Sequence, residues 1–435
     1  MTQPLYIGMD FGTTNSAVGV TEAGGGAARI LEMGTAAKAS DTLRSLLAFT
    51  GRRRDAAKRP LPWVGQEAID AYLETDEDCR LLQSFKSYLT SRTFTSASVL
   101  NSSFSLEDLI ALVVGHLRQA AEAQGGAAVR KVVAGRPVRF VAEDGKAEED
   151  FALDRLRIAF GKAGIDEVLF EYEPIAAAYY YESTLARDEI VLVADFGGGT
   201  SDFCLVHLGP GRKKLSRSEE AIIGTAGVGI AGDTFDRRIV EHGLSDHFGR
   251  GVTFRSDHKS LPMPAWIYGK VARWHHIGFL NTSANLRMLK DIQKTADDPD
   301  LVENLLILIE HHLGYHLYRA VEKAKLALSR NESTQVTFQY DPIDIDMTVT
   351  RSDFESWIAP ELAEIEGCVD GLLASTGISA AQVDRVFMTG GSSLVPAVRN
   401  IFTRRFGEDK ISAGGEFISV AGGLAYRARE AFGEG

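Results

Sequence analysis

The chain has 435 residues, 45% hydrophobic and 24% charged, with 47 lysines and arginines against 59 aspartates and glutamates and a formal net charge of −12. That balance describes a globular chain of several compact units, and the acidic excess excludes a broad nucleic-acid or anionic-membrane surface while leaving room for local basic spots. No apolar stretch approaches the ~20 residues of a membrane span, Asp10 interrupts the first apolar run before it could form an export leader, and Cys79, Cys204 and Cys368 stand at no metal or disulfide spacing, so a cytoplasmic setting is expected.

Residues 5–20 read LYIGMDFGTTNSAVGV. Two alternating apolar segments flank Gly12-Thr13-Thr14-Asn15, the pattern of a β-hairpin with Asp10 at its turn. Residues 190–206, IVLVADFGGGTSDFCLV, repeat that grammar, with Asp195 at the equivalent turn, Gly197-Gly198-Gly199-Thr200 in the loop and Asp202 beyond it. Glycine lets backbone N–H groups converge on an anion, and Thr13, Thr14 and Thr200 add hydroxyl donors. Such loops suit phosphate, and their carboxylates suit a hydrated Mg²⁺ that bridges to phosphate oxygens. Either copy alone also reads as a plain tight turn. The repetition favours a clamp on a metal nucleotide.

Between the hairpins, LLQSFKSYLT (81–90) contains Lys86, otherwise a surface lysine, and VLFEYEPIAAAYYY (168–181) puts Glu173 where a strand gives way to a helix beginning at Pro174. Pro137, in VVAGRPV, reads locally as a strand-ending proline. Gly227 to Gly232 match G-x-G-x-x-G, a weak dinucleotide signal without a βαβ unit and a ribose acid; there is no P-loop, and the kinase V-A-I-K and H-R-D elements are missing.

Residues 243–330 read as mostly helical, with polar breaks near 255–264 and 295–300. The aromatics of AWIYGKVARWHHIGFL (265–280) recur at helical spacing, which favours packing over a partner surface. His312 and His316 are i, i+4 but lack a zinc-enzyme carboxylate, so an ordinary helix is expected. HLYRAVEKAKLALSR (316–330) is a helix with Glu322, Lys325 and Ser329 on one side, a pattern that on its own describes a solvated face. Residues 350–373 open on a Ser352-x-x-Glu355 capping box. VDRVFMTGGSSLVPAVRNIF (383–402) reads as strand, Gly390-Gly391 turn and a helix opening at Ser392 or Ser393, whose free N–H groups either meet a polar ligand or mark an ordinary turn. FISVAGGLAYRAREAF (417–432) is a closing helix.

Taken in order, Asp10 to Ser16, Asp195 to Asp202, Glu322-Lys323-Ala324-Lys325 and Gly390 to Ser393 resemble the motifs of the 70-kDa heat-shock protein (DnaK-type) family. Two further stretches agree: 168–181 resembles its Asn-Glu-Pro-Thr-Ala-Ala-Ala segment, and IAGDTFDRRI (230–239) its Gly-Gly-Glu-Asp-Phe-Asp segment. The resemblance runs over nearly the whole chain. It implies an α/β, actin-like ATPase fold of two lobes with duplicated RNase H-like cores around a nucleotide cleft. Lobe I would be 1–187 plus 416–435, and lobe II 188–415, with an outer helical part at about 243–330.

The same resemblance implies ATP/ADP and Mg²⁺ as cofactors. Asp10 and Asp195 would hold the metal through water, while Gly12, Thr13, Thr14, Asn15, Gly197, Gly198, Gly199 and Thr200 would meet the phosphates. Lys86 would reach the γ-phosphate and the attacking water, Glu173 would place metal and water, and Asp202 would support the second hairpin. Glu322, Lys325 and Ser329 would line the ribose and adenine side opposite Gly390, Gly391 and Ser392. Pro137 would match a proline that relays nucleotide state. Leu394 replaces an arginine that commonly stacks on adenine, and Leu326 occupies another stacking position, so the base would be held by apolar contact. After the closing helix the sequence stops at Gly435, as in short, YegD-like members that lack the substrate-binding domain or in a nucleotide-binding domain taken alone; the helical extension of lobe II and the drift of the motifs favour the former.

The expected protein is an ATP-binding, slowly ATP-hydrolysing, chaperone-like conformational switch, monomeric, with unidentified protein partners and neither nucleic acid nor membrane. A sugar or small-acid kinase of the same superfamily, an actin-like filament protein, and a nucleotide-binding module without hydrolysis remain as alternatives.

Overall fold

Two sheets of the same strand order carry the two glycine hairpins. The computed structural model describes residues 5–33, 40–74, 79–140, 148–182, 185–211, 221–413 and 419–433; residues 417 and 418, the expected start of the closing helix, lie outside them. The chain divides into two compact units, one of Met1–Ala231, Glu364–Leu394 and Val398–Gly435, the other of Gly232–Ala363 and Val395–Ala397.

In the first unit, one sheet runs in the order Glu167–Tyr172, Lys131–Arg136, Leu5–Phe11, Asn15–Glu22 and Arg29–Ile30, with Leu43–Arg44 paired to Asn15–Glu22. The other runs Ile411–Ala413, Arg385–Thr389, Glu189–Phe196, Ser201–Leu208 and Ile222–Val228. In each sheet two parallel strands lead to an antiparallel hairpin, so the repeat seen in sequence is a repeat of topology. The apolar run of Glu189–Phe196 is buried along nearly its whole length, as a strand covered on both faces must be.

Helices Glu173–Glu182 and Ser419–Phe432 contribute to one apolar core with both sheets: Val133 from the first, Val191, Val193 and Cys204 from the second, and Ile175, Ala177, Leu424 and Ala428 from the helices. A Cβ on Gly423 would fall 1.6 Å from the carbonyl oxygen of Ala176, so the two helices cross at backbone contact. A second core under the first sheet gathers Phe11, Val18, Phe49, Leu109, Val113, Phe160 and their neighbours. All three cysteines are free thiols.

The second unit is largely helical. It includes Gly232–Ile239, Ala265–Val271, Ser283–Gln293, Pro299–Glu310 and Gly314–Leu328, followed by the hairpin Ser333–Tyr340 and Ile343–Thr350. Four local expectations are corrected here. The polar stretch near 255–264 is a hairpin, Thr253–Ser256 with Lys259–Pro262, not merely a helix break. The capping box before 351 is formed by Thr350 with Asp353, two residues earlier than Ser352 with Glu355, because Thr350 has the extended backbone that lets its hydroxyl accept from Asp353 N–H. His312 is left-handed (φ 55°) between two helices, so it does not share a helix face with His316. Residues 265–280 form three short pieces rather than one amphipathic helix. There the packing reading holds for Trp274, whose ring stacks on Tyr318 at 5.2 Å, whereas Trp266 and Phe279 are exposed. Among the described residues no helix is long and apolar enough to cross a membrane.

Candidate functional site

Asp10 and Asp195 each stand next to last in the first strand of their hairpin, so each carboxylate leaves the sheet where the backbone turns. The second loop is closed by Gly197 N–H donating to the Thr200 carbonyl at 2.9 Å, and Asp195 lies directly opposite Asp202 across the hairpin. The two loops meet. A Cβ on Gly199 would lie 3.2 Å from Thr13 Oγ1, which brings the first glycine-threonine loop against the second.

Lys86 enters this region on a single 3₁₀ turn, Phe85–Tyr88, reached through a left-handed Ser84 (φ 59°). Its ammonium is 2.5 Å from Glu173 Oε1, with both side chains about one-tenth exposed, so Lys86 is a buried lysine and not a surface one. The α-helix after strand Glu167–Tyr172 opens at Glu173 itself, one residue before Pro174. Asp202 accepts from Val138 N–H at 2.8 Å and from the Thr200 side chain, which ties the segment after Pro137 to the second hairpin. The Val138 amide was invisible in sequence, since every residue but proline carries one.

Asp10, Glu173, Asp195 and Asp202 act electrostatically on one another around this one lysine. Burial and then the charge of Glu173 push Asp10 up to about 7, with Lys86 opposing. Burial and Glu173 push Asp202 up to about 7 against Thr200, Val138 and Lys86. Asp195 is raised by burial and by Glu173, Asp10 and Asp202. For Lys86, burial favours the neutral amine, but Glu173, Asp10 and Asp202 outweigh it and raise the pKa. Four carboxylates facing one ammonium leave the site short of positive charge. Among the described residues no three His, Cys, Asp or Glu side chains are grouped so as to hold a metal directly.

The third glycine site adjoins the second hairpin, because strand Arg385–Thr389 pairs with Glu189–Phe196 and sets Thr389 beside Asp195. Gly390 has φ 83°, and a Cβ there would be 2.1 Å from the Phe196 carbonyl oxygen. Residues Gly391–Leu394 form a 3₁₀ turn and the α-helix begins at Pro396, not at Ser392 or Ser393. Proline presets φ at a helical first position and needs no acceptor. Ser393 Oγ donates to the Gly390 carbonyl at 2.6 Å, Ser392 is buried, and Leu394 is exposed.

Glu322, Lys325 and Ser329 belong to the second unit, on helix Gly314–Leu328 and its C-cap. Lys325 Nζ donates to Asp236 Oδ2 at 2.8 Å and to the Gly232 carbonyl at 3.2 Å, and Ser329 Oγ donates to the Lys325 carbonyl at 3.2 Å. Leu326 is exposed. Asp236 is buried and its Oδ1 has no partner among the described residues; burial lifts it to about 6, with Lys325 opposing and Asp233 and Glu322 adding. Asp236 lies in the segment 230–239 that resembles the family's Gly-Gly-Glu-Asp-Phe-Asp stretch, and no local pattern marks it as the acid that Lys325 meets.

A family model described as Hsp70 protein matches residues 63–262 and 307–429. The matched stretches make up well over half of the chain and include Lys86, Glu173, the second hairpin, Glu322 to Ser329 and Gly390 to Leu394. Hsp70 proteins share the actin-like ATPase fold, and the duplicated sheets of the first unit are its internal repeat. By this match and this site, the chain belongs to the Hsp70 family of ATP-binding, chaperone-like ATPases.

Proposed function

We propose that the protein binds Mg-ATP with its phosphates at the paired hairpins, hydrolyses it slowly, and uses the bound nucleotide as a conformational switch. The observation that carries this reading is the meeting of the two loops at Gly199 and Thr13 beside four carboxylates and a single buried lysine. A dication fits the residues present, because burial first and the charge of Glu173 next push three of those carboxylates toward protonation, and a dication would offset both effects. Asp10 and Asp195 are the groups to hold it, through its water shell. When bound, Mg²⁺ supplies charge neutralisation at the phosphate oxygens.

The chain's own residues do the rest. Loop N–H groups and the hydroxyls of Thr13, Thr14 and Thr200 orient the phosphates. Lys86, held by Glu173, places positive charge at the γ-phosphoryl group, and Glu173 with Asp195 positions the attacking water for in-line displacement. The water's oxygen bonds to phosphorus as the bond to the bridging oxygen breaks, giving ADP and phosphate, and the water's surplus proton leaves to solvent. Such a site works by positioning, which suits slow turnover. Asp202, bonded to Val138 N–H, connects the phosphate loop to the Pro137 segment and offers a route for the switch.

The test is calorimetric titration of ATP into metal-free protein with and without Mg²⁺, with phosphate release followed for hours in the same samples. Mg-dependent binding and slow release, indifferent to added sugars, is the expected result. Absence of ATP binding, or transfer of the γ-phosphoryl group to one added sugar in place of phosphate release, overturns the reading.

A further inference from the structure

From His258 to Lys290 the chain has no aspartate or glutamate but five cations, Lys259, Lys270, Arg273, Arg287 and Lys290, in a protein that is strongly acidic overall. Most of this run falls in 263–306, the internal stretch that the Hsp70 family model leaves unmatched. Two of its cations are engaged locally: Lys290 pairs with Glu310 at 2.7 Å, and Arg287 donates to the Ser283 carbonyl at 3.1 Å.

Lys270 is different. It stands four residues after Trp266 on helix Ala265–Val271, so both occupy one face, and its ammonium lies 5.6 Å from the centroid of the Phe279 ring. It makes no ion pair among the described residues. Trp266 is 46% exposed and Phe279 43%, large values for residues that usually bury most of their area. The opposite face of the same helix is anchored, with Ile267 and Val271 buried and Tyr268 Oη donating to the Phe248 carbonyl at 3.2 Å. The aromatic-basic face is thus presented by a fixed element.

The neighbouring histidines add no positive charge to this face. His275 is lowered to about 3, by burial first and then by His276 and Arg273, and His276 to about 4, by burial, Arg273 and Lys270. Both rings are neutral near pH 7, and the charge of the face rests on Lys270.

We propose that the face formed by Trp266, Lys270 and Phe279 docks a short acidic segment of a partner protein, one that sets a carboxylate beside an apolar side chain. Charge complementarity supplies the carboxylate: an ammonium without an ion-pair partner among the described residues, on the helix face of one exposed ring and 5.6 Å from the other, gains most from an anion that also shields the rings. A short segment fits better than a nucleic acid or a lipid surface. The acidic remainder of the chain repels a long polyanion, and two exposed rings with one lysine fall short of the broad apolar and polybasic face that membrane association needs.

The test uses the full chain and a fluorescein-labelled peptide of alternating glutamate and leucine, read by anisotropy, with a glutamine-leucine peptide as control. Binding is expected for the acidic peptide alone, weakening about tenfold as salt rises to ~0.3 M, and weakening about tenfold in Trp266→Ser or Lys270→Glu. Melting temperatures of both variants should match the parent, because the altered side chains lie on the surface; Phe279→Ser repeats the test should either variant unfold. Absence of binding, or binding that survives Lys270→Glu, overturns the proposal. Equal, Lys270-dependent binding to phosphatidylserine vesicles or to oligouridylate overturns the choice of partner, as does Lys270-dependent self-association of the chain.

Discussion

Lys86 Nζ and Glu173 Oε1, 2.5 Å apart and nearly buried, join a lone 3₁₀ turn to the start of a helix on another part of the first unit. Breaking one partner of such a pair leaves an uncompensated charge. Lys86→Ala is therefore expected to lower ATP turnover about 100-fold and to cost about 3 kcal/mol of stability, with much less change in ATP affinity. Lys86→Ala/Glu173→Ala should recover most of the stability and none of the turnover. Denaturant melts with single-turnover phosphate release separate the two effects; normal turnover in Lys86→Ala would remove the lysine from the chemistry.

The carboxylates predict a pH dependence. Asp10 and Asp202 titrate near 7 in the folded, metal-free chain, well above the ordinary value near 4. Between these values the folded state binds more protons than the unfolded chain, so this contribution to stability is present below about 4 and is lost as pH rises toward 7. Asp10→Asn should consequently raise the metal-free melting temperature at pH 8 by about 3 °C, with the gain shrinking toward pH 4. Mg-ATP binding should release protons below pH 7, measurable by calorimetry in two buffers of different ionisation enthalpy. A melting gain that does not vary with pH would contradict the assignment.

Gly390 gives a test of the site's backbone. Its φ of 83° and the 2.1 Å separation of a built Cβ from the Phe196 carbonyl oxygen leave no room for a side chain. Gly390→Ala should destabilise by about 3 kcal/mol or more, with the damage centred on the second hairpin. Gly51→Ala, where a Cβ meets nothing within 4 Å, is the control that should be near neutral in a urea melt.

Much of this was legible in sequence because it is written in local patterns. Alternation around Asp10 and Asp195 located both hairpins, and their repetition foretold the paired sheets. What escaped was set by tertiary contact or by backbone atoms. Lys86 looks like a surface lysine until Glu173 arrives from a distant helix; Val138 acts through an amide that its side chain does not advertise. Local signals also competed. Thr350 and Ser352 both begin cap-like strings, and Pro396 outranked two serines as the start of a helix. The 265–280 stretch has helical spacing, yet Arg273 adopts a non-helical backbone before Trp274, which splits the run and turns Trp274 inward while Trp266 stays exposed.

Lys325 and Asp236 form the second unit's counterpart of the Lys86–Glu173 pair, and they differ in one instructive way. Asp236 uses Oδ2 for Lys325 and leaves Oδ1 buried without a partner among the described residues, and burial lifts the acid to about 6 although Lys325 opposes it. Lys325→Met should cost about 3 kcal/mol at pH 8, because it strands a buried carboxylate, and less at pH 5, where Asp236 takes up a proton. Asp236→Asn should cost less, since the ammonium it leaves without a counter-charge is less deeply buried than the carboxylate and the amide keeps an oxygen for Lys325. Lys325→Met/Asp236→Leu should come close to the parent, as apolar replacements of buried pairs often do. Urea melts of the four proteins at the two pH values decide the matter: a double variant as unstable as Lys325→Met would mean that the lysine's bond to the Gly232 carbonyl, and not its charge on Asp236, fixes the start of helix Gly232–Ile239.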